Sequence, residues 1–452
     1  MRHVLWHTLF LALAGIGSAY AQASLDTSFS SDGKQTIPFD LDSLKADELL
    51  GLHPAQGGGY WLCGRATTPG GNGLALVIAK LTATGALDTG FSIDGKHSID
   101  TLFDSVDACA VDSQDRLLFA GTTAAQSGGG TQVILARVLP NGNPDTGFGF
   151  IGLYGFSSAY ANQVLAVTTV PGDHPMVLSL DRPNGSMTRT ATLYGVRGDG
   201  AADARATIGT YIGIQPTGAL AWSAGRQRLI SATGGFGGGS NRVLVRTIQI
   251  DTAGGGLSLS PSALALESIP GNTQDSELQV TAVAAVPGSS SLYVAGYVQQ
   301  LSNPASGNHQ GWVMRIGAND LRDTSFDGDG FSIGFAPFPS SDLRYAALAA
   351  AADGVYIGAS VGNSDGSGRS FAVQRLQQNG ALDANLTTTG DFAVETFPAS
   401  GGSIASSTAS AILVAGGRIL VGGSRRWALP VDLDFAVLAW TSPGDLFRDG
   451  FE

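Results

Sequence analysis

The chain has 452 residues, of which 25 are basic and 37 acidic, for a formal net charge of −12. This acidic balance argues against nucleic acid and against anionic membranes as partners, because both attract basic surfaces. Only 14% of the residues are charged and 64 are glycine. Such a composition is typical of many short strands joined by tight turns, and it argues against a mainly helical protein.

The first 21 residues have the pattern of a cleaved signal peptide. Arg2 supplies a positive charge, residues 5–16 form a short apolar run, and Ala19-Tyr20-Ala21 offers small residues for cleavage before Gln22. The alternative is a buried N-terminal strand or helix. The run is shorter than the ~20 residues that a membrane helix needs, and no later segment is long and apolar enough. We therefore expect a soluble, extracytoplasmic protein, either periplasmic or secreted.

Two sequence units recur together along the chain with a period of about sixty residues. One is Leu-Asp-Thr-Gly-Phe at 87–91, followed by Asp94-Gly95, with copies at 25–29, 322–326, 144–148 and 382–386. The other is an apolar strand that carries one basic residue. Its equivalent positions are Lys80, Arg137, Arg189, Arg246, Arg315, Arg375 and Ala439. These positions predict seven repeats.

Each clear repeat divides into four short strands. In the second repeat these are residues 96–99, 108–111, 116–121 and 133–139, with a turn at 112–115. Asp, Gly and Ser recur at the turns, as tight hairpins require. Four antiparallel strands in each sixty-residue unit describe a blade of a β-propeller.

The two ends of the repeat region complement each other. Residues 25–29 are the second half of a unit and residues 435–440 the first half, so a closed ring would complete the unit and remove exposed sheet edges. We therefore predict an all-β protein with a seven-bladed β-propeller at 22–440 and a C-terminal tail at 441–452. We expect Phe29 to occupy the pocket that Phe91 and Phe326 occupy elsewhere. Asp26 should lack a basic partner, because Ala439 has replaced the basic residue.

The combination of an apolar strand with Arg or Lys, a turn such as Pro140-Asn141-Gly142, LDxxF and Asp-Gly resembles the delta-60 repeat family of bacterial exported proteins. The resemblance extends over about residues 24–440. It implies a propeller-like fold and no particular activity. The last nine residues, which end in Gly-Phe-Glu, resemble a short tail on exported proteins of some Gram-negative bacteria.

The repeated basic residue and the aspartate of LDxxF keep a fixed offset of eight, as in Lys80 and Asp88 or Arg137 and Asp145. A ring of charges around the channel is one interpretation. The other, which we favour, is a structural ion pair or set of turn hydrogen bonds. Phe29, Phe91, Phe148 and Phe326 are expected to pack between blades.

Asp323, Asp327 and Asp329 form a segment similar to a calcium loop, but position twelve is Gly334 and not the glutamate of an EF-hand. Residues 362–366 match G-x-S-x-G, which needs a strand-to-helix turn that an all-β protein does not offer. The histidines are scattered and form no HxxxH or HxH pair. We therefore assign no catalytic, cofactor-binding or metal-binding residue, and no cofactor.

Cys63 and Cys109 are the only cysteines. Pairing the strands about the turn at 112–115 places Cys109 opposite Leu118, on the same sheet face as Ala120, the counterpart of Cys63. Adjacent blades meet through opposite faces. Cys63 and Cys109 would then occupy the same face of successive blades and would not meet. We therefore predict two free, buried cysteines.

Binding is expected in the loops that link the third and fourth strands of the repeats, near the rim, because loops on a rigid scaffold carry function. They are residues 67–72, 124–131, 233–241, 299–310 and 362–369. The sequence favours a monomeric, non-enzymatic module that binds an unidentified protein or glycan. The alternative is a glycan hydrolase or lyase with its site at the central channel.

Overall fold

The protein forms seven four-stranded antiparallel sheets, with one short 3-10 helix, Ala253–Gly255, in the part of the chain that the structure describes. The computed structural model describes residues 22–43, 45–68, 73–100, 103–124, 130–156, 161–183, 186–212, 216–237, 240–269, 277–299, 309–334, 341–363, 368–384, 386–387, 392–397, 406–426 and 432–442. The predicted signal peptide and most of the predicted tail lie outside these residues.

The 28 strands follow one another along the chain without a crossover until the last sheet. The first four blades contain β2 (Asp47–Pro54), β3 (Tyr60–Thr67), β4 (Leu74–Leu81) and β5 (Lys96–Asp100); β6 (Ser105–Val111), β7 (Leu117–Ala124), β8 (Thr131–Val138) and β9 (Leu153–Phe156); β10 (Ala161–Val170), β11 (His174–Arg182), β12 (Thr188–Val196) and β13 (Asp203–Ile212); β14 (Gly218–Ser223), β15 (Arg228–Gly237), β16 (Ser240–Asp251) and β17 (Ser258–Ser268). The last three contain β18 (Glu277–Ala285), β19 (Leu292–Gln299), β20 (His309–Ile316) and β21 (Phe331–Ile333); β22 (Ser341–Ala351), β23 (Gly354–Asn363), β24 (Ser370–Gln377) and β25 (Phe392–Glu395); β26 (Ser406–Ala415), β27 (Arg418–Arg426), β28 (Leu433–Thr441) and β1 (Lys34–Ile37).

The seven sheets form a closed ring. The first strand of each blade contacts the first strand of the next, and β26 of the seventh blade contacts β2 of the first. These seven strands therefore surround a common axis, which is the arrangement of a seven-bladed β-propeller. The predicted fold class is confirmed. Each blade ends one strand later than the sequence repeat. The first strand of the second repeat, Lys96–Asp100, pairs with β4 and so completes the first blade.

The N-terminal segment closes the ring, as predicted. Strand β1 pairs antiparallel with β28 through the register Lys34↔Leu438 to Ile37↔Phe435. Before β1, the Asp26 amide donates to the Ala439 carbonyl at 2.9 Å, and the Thr441 amide donates to the Ser24 carbonyl at 2.8 Å. The seventh blade thus takes its outermost strand from a segment about 400 residues away in the sequence.

Phe29 occupies the inter-blade position that Phe326 occupies between the fifth and sixth blades. Both rings are fully buried. The amide of the following residue, Ser30 or Asp327, donates at 2.7 Å to a turn carbonyl of the next blade. Phe91 and Phe148 are buried as well, so the prediction that these aromatic residues pack between blades is confirmed.

Glycine allows aromatic side chains of one blade to lie against the next. A Cβ at Gly64 would lie 2.1 Å from the Glu48 carbonyl oxygen and 2.5 Å from the ring of Phe435. A Cβ at Gly423 would meet the ring of Phe371 at 2.9 Å. No side chain fits at these distances, so both positions require glycine for the blades to pack.

The prediction of two free cysteines is wrong: Cys63 and Cys109 form a disulfide between the first and second blades. The error lies in the register of β6 and β7, where Cys109 pairs with Phe119 and not with Leu118. A slip of one residue transfers a side chain to the other face of the sheet. Cys109 therefore faces the first blade, where Cys63 lies.

The buried ring of Phe29 should contribute strongly to stability. Replacing it in Phe29→Ala removes a fully buried side chain and should cost about 3–5 kcal/mol in the free energy of unfolding. Phe150, which is 78% exposed, provides the matched control, and Phe150→Ala should change stability by less than ~0.5 kcal/mol. Denaturant unfolding measures both values, and equal losses would contradict the assignment of Phe29 to the core.

Deleting residues 22–30 should destabilise the protein much more than deleting residues 443–452. The first deletion removes Phe29 and the hydrogen bonds from this segment to β28, while β1 remains. We expect a loss of at least ~3–5 kcal/mol from the buried ring alone. Thermal unfolding of the two truncated proteins beside the full mature chain makes the comparison. Similar midpoints for both truncations would show that this segment does not hold the ring closed.

Candidate functional site

The propeller has two faces that differ in their connections. The strands of each blade run alternately up and down, so the turns after the first and third strands lie on one face, here called the turn face. The connections after the second strand and between blades lie on the other, here called the loop face. The two faces also differ in their charged groups.

The turn face carries the repeated ion pairs. Each joins the basic residue of a third strand to the aspartate eight positions later, at N–O distances of 2.8–3.3 Å. The pairs are Lys80 with Asp88, Arg137 with Asp145, Arg315 with Asp323, and Arg375 with Asp383. They connect the third strand to the following turn. The structural interpretation of the offset of eight is confirmed.

The prediction that Asp26 lacks a basic partner is wrong. Arg418, at the start of β27, places Nε 2.5 Å from Asp26 Oδ2. Arg418 lies on the strand next to that of Ala439. Arg116 holds the equivalent position in the second blade, and there it lies 3.8 Å from Asp145. Burial alone would raise the pKa of Asp26, but hydrogen bonds from Ser28 and Arg418 lower it. The charge pair is thus kept with a cation from a neighbouring strand.

The calcium-like segment serves as a turn. Asp323 Oδ1 accepts hydrogen bonds from the amide and hydroxyl of Ser325, and Asp329 Oδ1 accepts one from the Phe331 amide at 2.9 Å. The Asp327 amide donates to the Asn379 carbonyl of the next blade. Within the described residues, these three carboxylates do not come close enough together to share one ion.

The loop face carries charge clusters that the repeat does not contain. The largest lies between the fifth and sixth blades around the buried carboxylate of Asp342. His309 Nδ1, at the start of β20, lies 2.5 Å from Asp342 Oδ1. Arg344 Nε and Arg369 Nη2 lie 3.0 and 3.1 Å from Asp342 Oδ2. Tyr297 packs edge-on to His309, and the Arg344 guanidinium lies 5.5 Å from the Tyr297 ring centre.

Asp342 stays ionised at neutral pH. Burial alone would raise the pKa of its carboxyl, but the hydrogen bond from His309 and the charge of Arg344 outweigh burial and lower it. The cluster therefore holds two guanidinium groups and an imidazole around one carboxylate. Arg344 keeps about a third of its side chain exposed. An anionic group could approach it there, because guanidinium groups bind carboxylates and sulfates through paired hydrogen bonds.

The sequence did not reveal this cluster. Its members lie on three strands and one loop of two blades, and they belong to neither of the recurring units. The positions that match Arg344 relative to the bulge in the first strand hold Glu48, Ser105, Gln163, Gln279 and Thr408. A search for charged residues that depart from the repeat at such positions would have found Arg344. The charged neighbours of His309 in this cluster lie 33 and more positions away in the sequence.

A second cluster lies on the loop face where the ring closes. Asp40, Asp432 and Asp434 place carboxylate oxygens within 4.8 Å of one another, and Lys45 Nζ lies 3.1 Å from Asp40. Burial, together with the charges of Asp40 and Asp432, raises the pKa of the neighbouring Asp47. Oxygen ligands of this kind suit a hard cation such as Ca²⁺. Lys45 supplies a positive charge at the same place.

A third group lines an open pocket of about 420 Å³ on the third blade. Asp181 is buried and accepts hydrogen bonds from Ser179 at 2.9 Å and from Tyr194 at 2.8 Å. Burial raises the pKa of Asp181. Arg205 and several threonine side chains complete the wall. The pocket is polar and could take a small hydroxylated ligand.

The predicted binding loops are only partly described. Residues 69–72, 125–129, 300–308 and 364–367 lie outside the described residues, and with them most of the G-x-S-x-G match. The described part of residues 233–241 is strand and not loop as predicted, because β15 and β16 pair from Gly234↔Val243 to Gly237↔Ser240. The extended hairpin satisfies backbone groups that a glycine-rich loop would leave to solvent. All five segments connect the second and third strands of a blade, so they do not start from its outer edge.

Comparisons with known proteins agree with the fold. A model of the family described as Domain of unknown function (DUF5122) beta-propeller matches residues 115–148. No curated protein sequence matches the chain. No helix among the described residues has the length and apolar character to cross a membrane.

Several solved structures are similar over most of the chain. The polysaccharide lyase Uly1 has 9% identity and a TM-score of 0.47, covering 87% of this chain and 89% of its own. Plexin A of Drosophila, in complex with Semaphorin 1b, has 7% identity and a TM-score of 0.45, covering 88% of this chain and 85% of its own. The α-L-arabinofuranosidase Arb93A from Fusarium graminearum has 9% identity and a TM-score of 0.42, covering 73% of this chain and 91% of its own. At these values no function transfers to this chain.

The Asp342 cluster and the repeated ion pairs should differ in their contribution to the free energy of unfolding. Asp342→Asn leaves three cationic or hydrogen-bonding groups without their shared carboxylate and should cost about 3–5 kcal/mol at pH 7. Asp88→Asn, in a partly exposed repeated pair, should cost less than ~1 kcal/mol.

The loss in Asp342→Asn should depend on pH. The folded protein holds the pKa of Asp342 below its ordinary value of 3.8, so the carboxylate contributes stability above that value and loses it as pH falls. Denaturant unfolding at several pH values should give curves for wild type and variant that converge below about pH 4. A loss that stays constant into acid would contradict this assignment.

Proposed function

We propose that this protein is an extracytoplasmic, non-enzymatic β-propeller that binds an acidic glycan through its loop face. The observation that carries the proposal is the pair of arginine side chains held beside Asp342 on the loop face. The repeated ion pairs occupy the turn face, where they hold third strands to turns. The clusters around Asp342, Asp181 and Asp434 depart from the repeat and all lie towards the loop face.

Export is supported by two independent features. The first 21 residues have the pattern of a signal peptide. The Cys63–Cys109 disulfide is a bond that persists in oxidising compartments and is rare in the cytosol. The resemblance of the repeats to delta-60 repeats of exported bacterial proteins, and that of the last nine residues to a tail on exported proteins of some Gram-negative bacteria, agree with this location.

An acidic ligand is supported by Arg344 and Arg369. The protein as a whole is acidic, so two guanidinium groups beside one carboxylate form a local positive site. Their positions are fixed by Asp342 and by packing against Tyr297, and a fixed guanidinium loses less entropy on binding. The uronate or sulfate groups of a glycan have the matching charge.

A glycan-cleaving enzyme is the second candidate. The observation in its favour is that His309, Tyr297 and Arg344 lie together, since imidazole and phenol groups can transfer protons while a guanidinium neutralises a nearby acid group. His309 and Asp342 are buried, which favours a structural role for this histidine over proton transfer to a substrate.

A glycan array combined with a turnover assay tests the proposal. The mature chain should bind uronate-containing or sulfated oligosaccharides without releasing new reducing ends or unsaturated products. Arg344→Gln and Arg369→Gln should each weaken binding by about tenfold or more, because each removes charge-assisted hydrogen bonds. Lys80→Gln, on the turn face, is the matched control and should leave binding unchanged.

Two results would contradict the proposal. Equal binding by the two arginine variants and the wild type would remove the loop-face cluster from the binding site. Product release that accompanies binding and is lost in His309→Gln would support the enzyme instead.

A further inference from the structure

The polar pocket on the third blade has the size and the lining of a site for a small molecule. Its volume is about 420 Å³, which lies within the range of such sites. The side chains that carry the argument come from three neighbouring strands of this blade. They are Asp181 on β11, Thr190, Thr192 and Tyr194 on β12, and Arg205 and Thr207 on β13.

The register of the sheet places these six side chains on one face. Residues directly opposite in neighbouring strands share a face, and so do residues two positions apart in one strand. The Tyr194 ring lies 5.0 Å from the Phe156 ring of the second blade, so this face is turned towards the second blade. The opposite pairs are Asp181 with Thr190, Thr192 with Thr207, and Tyr194 with Arg205.

The pocket opens where the neighbouring strand ends. Strand β9, the outermost strand of the second blade, has 4 residues and ends at Phe156, beside Tyr194. Strands β12 and β13 have 9 and 10 residues, so their polar positions extend past that end towards the loop face. The pocket therefore opens on the same face of the propeller as the Asp342 cluster.

Arg205 brings an unused positive charge to the pocket. The side chain is exposed, and it makes no hydrogen bond or ion pair with any residue that the structure describes. Burial raises the pKa of Asp181, and the charge of Arg205 counters only part of this effect. A guanidinium with unused donors binds a carboxylate through two parallel hydrogen bonds, so Arg205 is suited to an anionic ligand group.

Asp181 brings a fixed acceptor to the other side of the pocket. Its Oδ1 lies 2.9 Å from the Ser179 hydroxyl and its Oδ2 lies 2.8 Å from the Tyr194 hydroxyl, and Thr192 also donates to it. A carboxylate has about four acceptor sites, so one remains for a ligand hydroxyl. The strands of Asp181 and Arg205 are separated by β12, which places them about 10 Å apart across the sheet.

We propose that this pocket binds one hexuronate unit of an acidic glycan. Arg205 binds the carboxylate of the sugar, while Asp181 and the threonine hydroxyls bind its ring hydroxyls. In a hexuronate the carboxylate on C5 lies across the ring from the hydroxyls on C2 and C3, which matches a cation on β13 and an acceptor on β11. The inference rests on the proposed function for its class of ligand, an acidic sugar, but it does not depend on the Asp342 cluster.

The two sides of the pocket select a molecule that carries both kinds of group. A neutral sugar would leave the guanidinium of Arg205 without an anionic partner. A simple carboxylate would leave the remaining acceptor site of Asp181 without a donor. A site that needs both groups discriminates against either partial ligand, because each leaves a polar group of the protein unpaired.

A ligand-observed NMR titration of the full mature chain with free monosaccharides tests this inference. D-Galacturonate and D-glucuronate are compared with D-galactose and D-glucose, which lack the charge, and with acetate, which lacks the hydroxyls, all at one ionic strength. At least one uronate should bind about tenfold or more tightly than its neutral counterpart, because only the acid makes charge-assisted hydrogen bonds to Arg205. Acetate that binds as tightly as the uronate would show a site for simple anions and would overturn the proposal.

Substitutions at exposed positions locate the site without disturbing the core. Arg205→Gln should lower the affinity for the uronate by about tenfold or more. Arg205→Lys, which keeps the charge and loses the paired donors, should lower it by less. Thr207→Val removes one hydroxyl and should lower it about threefold.

Arg182→Gln is the matched control for these variants. Arg182 is an exposed arginine of the same blade, and its side chain lies on the opposite face of the sheet from that of Asp181, because successive side chains of a strand alternate. This variant should leave the affinity unchanged. Circular dichroism and thermal unfolding of each variant establish that the blades remain folded.

Failure of this inference can be told apart from failure of the proposed function. Wild-type protein that binds no uronate, or Arg205→Gln protein that binds it as tightly as wild type, would overturn the pocket assignment. Monosaccharide binding that is lost in Arg344→Gln and kept in Arg205→Gln would place the sugar at the Asp342 cluster, which would overturn this inference and support the proposed function. Uronate binding that depends on Arg205, together with oligosaccharide binding that Arg344→Gln and Arg369→Gln leave unchanged, would support the pocket and contradict binding at the Asp342 cluster.

Discussion

The pairing of β1 with β28 is the constraint on which the rest of the structure depends. Each blade buries both of its faces against neighbours, so every blade is stable only if the ring is complete. An open ring would expose a face of the first blade, a face of the seventh and an unpaired sheet edge. The closing segment prevents this through Leu25, Phe29 and the hydrogen bonds to β28, and it brings the charged groups of residues 40–47 next to the start of the last strand.

Closure also explains why charge is divided between the faces. On the turn face, a cation and the LDxxF aspartate recur in the first, second, fifth, sixth and seventh blades, where each pair ties a strand to a turn. The seventh blade shows how strongly this contact is retained, because Arg418 supplies the cation that Ala439 cannot. On the loop face no such contact is required at each blade. The Asp342 cluster lies at the interface of the fifth and sixth blades, and a smaller one, Arg65 with Glu48 and Asp107, lies at that of the first and second.

A disulfide stabilises the interface between the first two blades. The disulfide joins segments 46 residues apart, and a loop of that size corresponds to about 4 kcal/mol of chain entropy. Gly51 makes room for this disulfide, because a Cβ at that position would lie 2.7 Å from Cys109 Sγ and 3.0 Å from Cys63 Sγ. The binding proposal likewise depends on residues that depart from the repeat.

The sequence by itself determined the period, the number of blades, the closure of the ring and the structural role of the offset of eight. These are properties of spacing, and spacing can be read along one chain. The tertiary structure alone decided the partner of Cys109, the cation beside Asp26 and the gathering of His309, Asp342 and Arg369. Each of these depends on which face of a strand a residue occupies and on which blades meet. A bulge or a turn one residue longer changes the face, and only the closed ring brings groups on different blades within a hydrogen bond of each other.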